Sequence, residues 1–327
     1  MAKNGGNSGA SPQGSQGLQV RKNSFGARAI RDFKKNYEIY LILLPVVAFY
    51  LIFSYAPMGG IAIAFQDWRP GRAMFGAGAR WVGLKHFKDF FSSYYFMRVL
   101  RNTVTISVSS LIFGFPAPII LALMLNELKS KIYARGVQTI VYLPHFISMV
   151  VLCGMIKLFV RDTGVITQVL SIFGFQPQNM LLNPNLFVPI YVVSNIWSGV
   201  GWGSIIYLAA LTSVDQQLYE AAEIDGAGKW KQTIHITLPC IVPTIIIQFI
   251  MRTGQILSVG QEKIILLYNE TIYDTADVIS SFVYRKGLLE NDWSYSTAVG
   301  LFNSVINFAL VSVVNKISST VSETSLW

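Results

Sequence analysis

Charge is scarce in this chain, and that scarcity is the first constraint on what the protein can be. Only 13% of its 327 residues are Asp, Glu, Lys or Arg, whereas 52% are apolar and the mean hydropathy is +0.46. This balance excludes an ordinary soluble globular domain and points to a membrane protein. Cysteine is nearly absent, and Cys153 and Cys240 both fall in long apolar runs, which excludes a disulfide framework and a Cys-based metal site. Acids are almost missing from those runs, which counts against an ion-coupled secondary transporter. No paired carboxylates, metal cluster or nucleophile-base set appears, so no catalytic residue and no metal ligand is expected. The net charge of +9 is spread over the amino-terminal tail and loops. It lacks the aromatic-basic stripe of a nucleic-acid binder, so no nucleic acid is expected as a partner.

What the chain has in abundance is long apolar sequence. Six runs, near residues 39–60, 99–125, 137–160, 186–211, 240–266 and 295–317, each exceed the roughly 20 helical residues that cross ~30 Å of hydrocarbon. The expected fold class is all-α, a polytopic membrane protein with six transmembrane helices. Six crossings place both termini on one side, and the Lys/Arg bias of short flanks marks the cytoplasm. Residues 1–38 hold seven Lys/Arg against two acids and residues 127–136 three against one, whereas 269–294 hold five acids against Arg285 and Lys286. Residues 66–98 break the pattern with six Lys/Arg and two acids, and there alternation of spans overrules charge.

Residues 1–37 are rich in Gly, Ser, Asn, Gln and basic residues, which predicts a disordered basic cytoplasmic tail ahead of a transmembrane domain over 38–327. The first apolar run starts near residue 39 and is full length, so it reads as a retained helix rather than a cleaved signal peptide. Residues 61–91 carry turn formers and then an amphipathic piece over 81–91, expected on the outer surface. Pro116, Pro118, Gly199, Gly201 and Gly203 interrupt two spans. They read either as sites of close helix packing or as kinks lining a pathway.

The most informative segment is polar. Between the fourth and fifth runs stand Glu220-Ala221-Ala222, then Gly226, Ile236 and Leu238-Pro239. Asp215 can cap a short helix on which Leu218, Ala221 and Ala222 share a face, with Glu220 and Glu223 turned elsewhere to pair with another chain. Asp225-Gly226 suits a tight turn, and residues 229–236 form a second helical turn that Pro239 is expected to stop. The nearby Gly226-Ala-Gly228-Lys229-Trp230 is not a phosphate-binding loop, because Glu223 and Trp230 stand where Gly and Ser or Thr are required.

The spacing of Glu220, Ala221, Ala222, Gly226, Ile236, Leu238 and Pro239 resembles the coupling loop of binding-protein-dependent ABC importer permeases. Further stretches resemble the carbohydrate-uptake, maltose-permease-like branch and its complex oligosaccharide and polysaccharide permeases: Asn36-Tyr-Glu-Ile-Tyr40, Tyr142-Leu-Pro-His-Phe-Ile-Ser148, Tyr207-Leu-Ala-Ala-Leu211, Ala298-Val-Gly-Leu-Phe-Asn303 and Ser325-Leu-Trp327. The resemblance implies a type I ABC importer permease fold, with the coupling loop over 213–239, in a bacterial cytoplasmic membrane with both termini cytoplasmic. It implies a second homologous permease, two ATPase subunits that bind the ATP and Mg, an extracytoplasmic solute-binding protein, surrounding lipid and a carbohydrate, an oligosaccharide, as substrate. This chain itself would then not be an enzyme and would hold no cofactor.

Ionisable groups inside a span face a cavity or a partner. Arg252, with Gln248 and Gln255 at i−4 and i+3, forms one face that suits sugar hydroxyls or a sugar carboxylate, or else a structural pair with another helix. Asn195, Trp197 and Trp202 offer polar and flat apolar surface, for sugar rings or for ordinary packing and the interfacial belt. These six residues are the expected substrate pathway. Glu262 and Lys263 read as interfacial. His145 reads as a hydrogen-bonded packing group or, in a carrier, a proton relay.

Overall fold

A computed structural model describes residues 33–321 and 325–326. Most of the expected tail, and Trp327 of the carboxy-terminal motif, lie outside those residues; within them, residues 33–35 are already helical. The described chain is helical throughout, apart from loops and one isolated antiparallel bridge between Gln66 and Trp81. It divides into two compact units, Met1–Gly59 and Gly60–Trp327.

The first unit holds helix α1, Tyr37–Tyr50, which continues through a π-helical turn at Leu51–Tyr55 into Ala56–Met58. None of these residues is buried. So much bare apolar surface needs lipid or another chain against it.

In the second unit α2 (Lys85–Phe91) precedes α3 (Tyr94–Gly114) and α4 (Pro116–Asn126). The last two form one 33-residue span, because Pro116 sits at an N-terminal helix position where its missing N–H is no loss. Pro116 and Pro118 therefore do not end the second run. Helix α2 is not confined to a surface: Phe90 is buried among Val99, Ile279, Phe282 and Val299, and His86 Nε2 lies 3.0 Å from the Gln66 carbonyl.

The third run is not one straight span. Helix α5 (Lys131–Tyr142) passes through a 3-10 turn at Leu143–Phe146 and meets α6 (Met149–Val160), which leads into α7 (Val165–Ile172), at a bend of 102°. Pro144 has no N–H for a helix, and the Ser148 side chain caps the new one by accepting from Val151 N–H.

Helix α8 (Pro184–Leu211) is the central element, with neighbours in α3, α4, α5 and the later helices. Its 28 residues reach about 42 Å. Gly201 lets α8 touch the Val141 carbonyl of α5 so closely that a methyl group there would overlap it, and Gly203 lies against Pro118. Gly201 and Gly203 break nothing and allow close approach, whereas Gly199 faces open space.

After a short helix α9 (Gln216–Ile224), helix α10 (Lys229–Gln232) runs on through a π-helical turn at Thr233–Thr237 into α11 (Leu238–Thr253). Pro239 does not stop this 25-residue span. It sits at the start of α11 just after the π turn, whose shifted hydrogen-bond register accommodates a residue without an N–H. Helices α12 (Gln261–Leu267), α13 (Tyr273–Ala276) and α14 (Ile279–Tyr284) then lead to the closing span α15 (Trp293–Val321).

Among the described residues, four helices are long and apolar enough to cross a bilayer, and a fifth if the bent pair counts as one. Helix α8 is long enough and uncharged, but it is not among them. Its Asn195, serines and glycines dilute its hydropathy where it lines a cavity.

Candidate functional site

A cavity of about 740 Å³ opens among α3, α4, α8, α11 and residues 255–260, a size that suits a small organic ligand or a few sugar units. Helix α8 contributes Tyr191, Asn195, Ser198 and Trp202; the end of α11 and the turn after it contribute Gln248, Arg252 and Gln255. Arg252 is the only Arg, Lys, Asp or Glu among the lining residues. It takes part in none of the ion pairs among the described residues. Its guanidinium is exposed, open to water, a ligand or another chain.

His145 enters the cavity from the bend between α5 and α6 and stacks on Trp202, with ring centroids 4.5 Å apart and planes 6° from parallel. The pair makes one flat aromatic surface. Trp197 is elsewhere: it lines a second, apolar cavity of about 560 Å³ with Ile156, Phe159 and Val193. Five of the six expected pathway residues thus share one cavity, and Trp197 does not.

The turn after α11 is pinned from two sides. Ser107 Oγ donates to the Ile256 carbonyl, Leu257 N–H donates to Asn307 Oδ1 at 3.1 Å, and Asn307 Nδ2 donates to Ser258 Oγ at 3.0 Å. This positions α12, and with it Lys263. Lys263 is not interfacial: it is 2% exposed, and its Nζ donates to Asn195 Oδ1 at 2.6 Å. Counting hydropathy along one run placed it near an outer boundary, whereas the turn at 254–260 folds α12 back against α6 and α8.

At the far end of α8 lies the polar helix-turn-helix. Asp215 caps α9, its carboxylate accepting from Gln217 N–H at 2.9 Å. Gly226 closes the helix with φ +75°, and the paired bonds Gly226 N–H to Glu223 O (3.1 Å) and Ala227 N–H to Ala222 O (2.8 Å) form a Schellman cap. Glu223 pairs with Lys229 of the same chain at 3.2 Å rather than standing free for a partner, while Glu220 is exposed. Buried Gln232 binds Ala227 O at 3.0 Å, and Tyr219 reaches Thr237 at 2.8 Å. The segment presents Leu218, Ile224 (88% exposed) and Trp230 (76% exposed) outward. Ile224 and Trp230 were missed in the sequence, although a large apolar residue amid a polar loop is the signal for such a patch. Ile236 and Leu238 are half-buried, and Pro239 is exposed.

Residues 114–317 match the model of a family described as binding-protein-dependent transport system inner membrane component. The chain belongs to that family. The permease is 41% identical over 290 residues to the polygalacturonan/rhamnogalacturonan transport system permease protein YteP of Bacillus subtilis, covering 88% of this chain and 90% of that one. It is 41% identical to Protein LplB of the same organism over 90% of this chain and 92% of the relative. A permease chain in the crystal structure of a bacterial alginate ABC transporter, in complex with an alginate pentasaccharide-bound periplasmic protein, superposes with a TM-score of 0.84 at 45% identity; the match covers 91% of this chain and all of that one.

Proposed function

We propose that the permease carries acidic oligosaccharides, one of two transmembrane subunits in an importer driven by ATP. Two supports converge. Similar permeases are named for polygalacturonan/rhamnogalacturonan and alginate, and the cavity holds an unpaired Arg252 with no carboxylate in its lining. Arg252 carries the reading: an unmatched guanidinium in a membrane cavity fits a uronate carboxylate bidentately. The His145–Trp202 surface suits the C–H face of a sugar ring, and Asn195, Gln248 and Gln255 suit its hydroxyls.

In this reading all six apolar runs cross the bacterial cytoplasmic membrane, with the bent α5–α7 and the polar α8 each taken as a crossing and both termini cytoplasmic. The troublesome positive charge at 66–98 is partly cancelled inside the fold, where Arg72 and Arg80 pair with Asp67 and Arg98 with Asp274 and Asp277. A second, homologous permease completes the pathway. An extracytoplasmic binding protein delivers the sugar, and two separate ATPase subunits hold ATP and Mg. The helix-turn-helix over 213–239 docks on one ATPase through Glu220, Ala221 and Ala222, aided by Ile224 and Trp230. Gly226 shapes the turn, and Ile236, Leu238 and Pro239 join it to α11. From Thr237 to Arg252 is one continuous helix of about 22 Å, so a tilt at the docking end moves the cavity wall directly.

The test is a reconstituted transporter with its binding protein. Oligogalacturonate or oligoalginate should stimulate ATP hydrolysis and uptake more than a neutral galacto-oligosaccharide does, and Arg252→Ala should remove most of that advantage. Equal stimulation by the neutral sugar, or unchanged kinetics in Arg252→Ala, overturns the assignment.

A further inference from the structure

Lys263 is a buried cation with no carboxylate. It lies on α12 at 2% exposure, takes part in none of the ion pairs among the described residues, and sits 5.2 Å from the centre of the Tyr191 ring. The ionisable group that faces it from α6 is the thiol of Cys153. Its polar contact to a cavity-lining side chain is the 2.6 Å bond to Asn195 Oδ1. Burying a charge there carries a desolvation cost that an apolar side chain of similar length would avoid.

The chemistry of the contact fixes its direction. Lysine has three donors and no acceptor, so Asn195 must turn its carbonyl oxygen toward Nζ. What the carboxamide has left is Nδ2, with two N–H donors, one of them toward the Tyr191 hydroxyl, on a residue that lines the cavity. Arg252, on another wall of the same cavity, is also donor-only. Without Lys263 the amide of Asn195 can turn over and present its carbonyl oxygen instead, because the Tyr191 hydroxyl beside it can donate as well as accept.

We propose that Lys263 is a specificity-determining positioning residue. It turns Asn195 into a dedicated donor and adds a second positive charge to the cavity of Arg252, so that the pathway favours uronate-bearing oligosaccharides over neutral ones. This rests on the reading of the cavity as the sugar pathway.

The experiment uses the complete detergent-solubilised transporter and two probes of equal length, tetragalacturonate and neutral galactotetraose, with direct binding measured by calorimetry. Lys263→Met should weaken tetragalacturonate about tenfold or more, the factor expected of one charge-assisted contact, and leave galactotetraose within about twofold. Lys263→Arg, still donor-only and charged, should keep the wild-type preference. Where Lys263→Met fails to assemble, Lys263→Gln serves in its place: it fills similar space but is uncharged and can accept, so it must lower the ratio as well. Equal losses for both probes, or an unchanged ratio in the neutral variants, overturn the proposal and leave Lys263 a structural residue. Wild-type transporter that binds neither probe overturns instead the sugar reading beneath it, and the proposal with it.

Discussion

The phenol oxygen of Tyr219 lies 2.8 Å from Oγ1 of Thr237, which ties the middle of α9 to the π-helical turn at the foot of α11. Thr237 is 1% exposed, so the contact is sheltered from competing water. If α9 receives the stroke of an ATPase, this bond passes it to the helix that bears Arg252. Tyr219→Phe and Thr237→Val should each lower substrate-stimulated ATP hydrolysis. The double variant should be little worse than the worse single one, with an interaction of about 0.5–1.5 kcal/mol in a double-mutant cycle. Strictly additive losses would show that the two residues act independently.

Gly226 makes a second, sharper test of the same lever. At φ +75° an alanine is strained by about 1–2 kcal/mol, and proline, locked near −65°, cannot adopt the conformation at all. Gly226→Ala should reduce and Gly226→Pro should abolish co-purification of the ATPase, while the amount of permease in the membrane stays near wild type. Full ATPase recovery with Gly226→Pro would sever the docking assignment from this turn.

Much of this architecture was legible in the sequence because it rests on local rules. The Asp215 cap and the Gly226 turn follow from short-range hydrogen bonding, and the face of Gln248, Arg252 and Gln255 follows from helical spacing. What stayed hidden depends on direction. Hydropathy sums a run without seeing that it bends by 102° after α5, or that residues 254–260 fold α12 and Lys263 back into the bundle. Trp197, grouped with Trp202 in the sequence, lines the other cavity. It lies five positions before Trp202, about 140° away around a helix, so helical spacing gave no reason to place the two on one face.

Gly201 tests the packing on which the cavity depends. An alanine methyl there would overlap the backbone carbonyl of Val141, and backbone cannot swing aside as a side chain can. Gly201→Ala should destabilise the permease by about 1–3 kcal/mol through overpacking, read as a lower thermal midpoint in detergent. Gly199→Ala is the control, since nothing lies within 4 Å of a methyl at that position. Equal midpoints for the two variants would show that α5 and α8 are not held at this distance in the folded protein.

Asp277 offers a test of a buried charge cluster. Its fully buried carboxylate takes Arg285 Nη2 at 2.7 Å and Arg98 Nη2 at 3.2 Å, and also accepts from Ser281 Oγ at 2.8 Å. One anion thus holds the start of α3 to the turn after α14. Asp277→Asn leaves two guanidinium groups, each with 18% side-chain exposure, Arg285 with no carboxylate and Arg98 with only the exposed Asp274. A loss of about 3–5 kcal/mol is expected from breaking such a buried pair. Asp274, which is 79% exposed and 3.4 Å from Arg98, should lose less than about 1 kcal/mol on the same change to Asn. Combining Asp277→Leu with Arg98→Met and Arg285→Met removes all three charges together and should recover much of the thermal midpoint, because the desolvation of the charges disappears along with their attraction. No recovery in the triple variant would mean that the cluster holds these elements in register through its specific hydrogen bonds, with Asn102 donating to the Asp274 and Asp277 carbonyls at 2.9 and 3.0 Å as the remaining clasp.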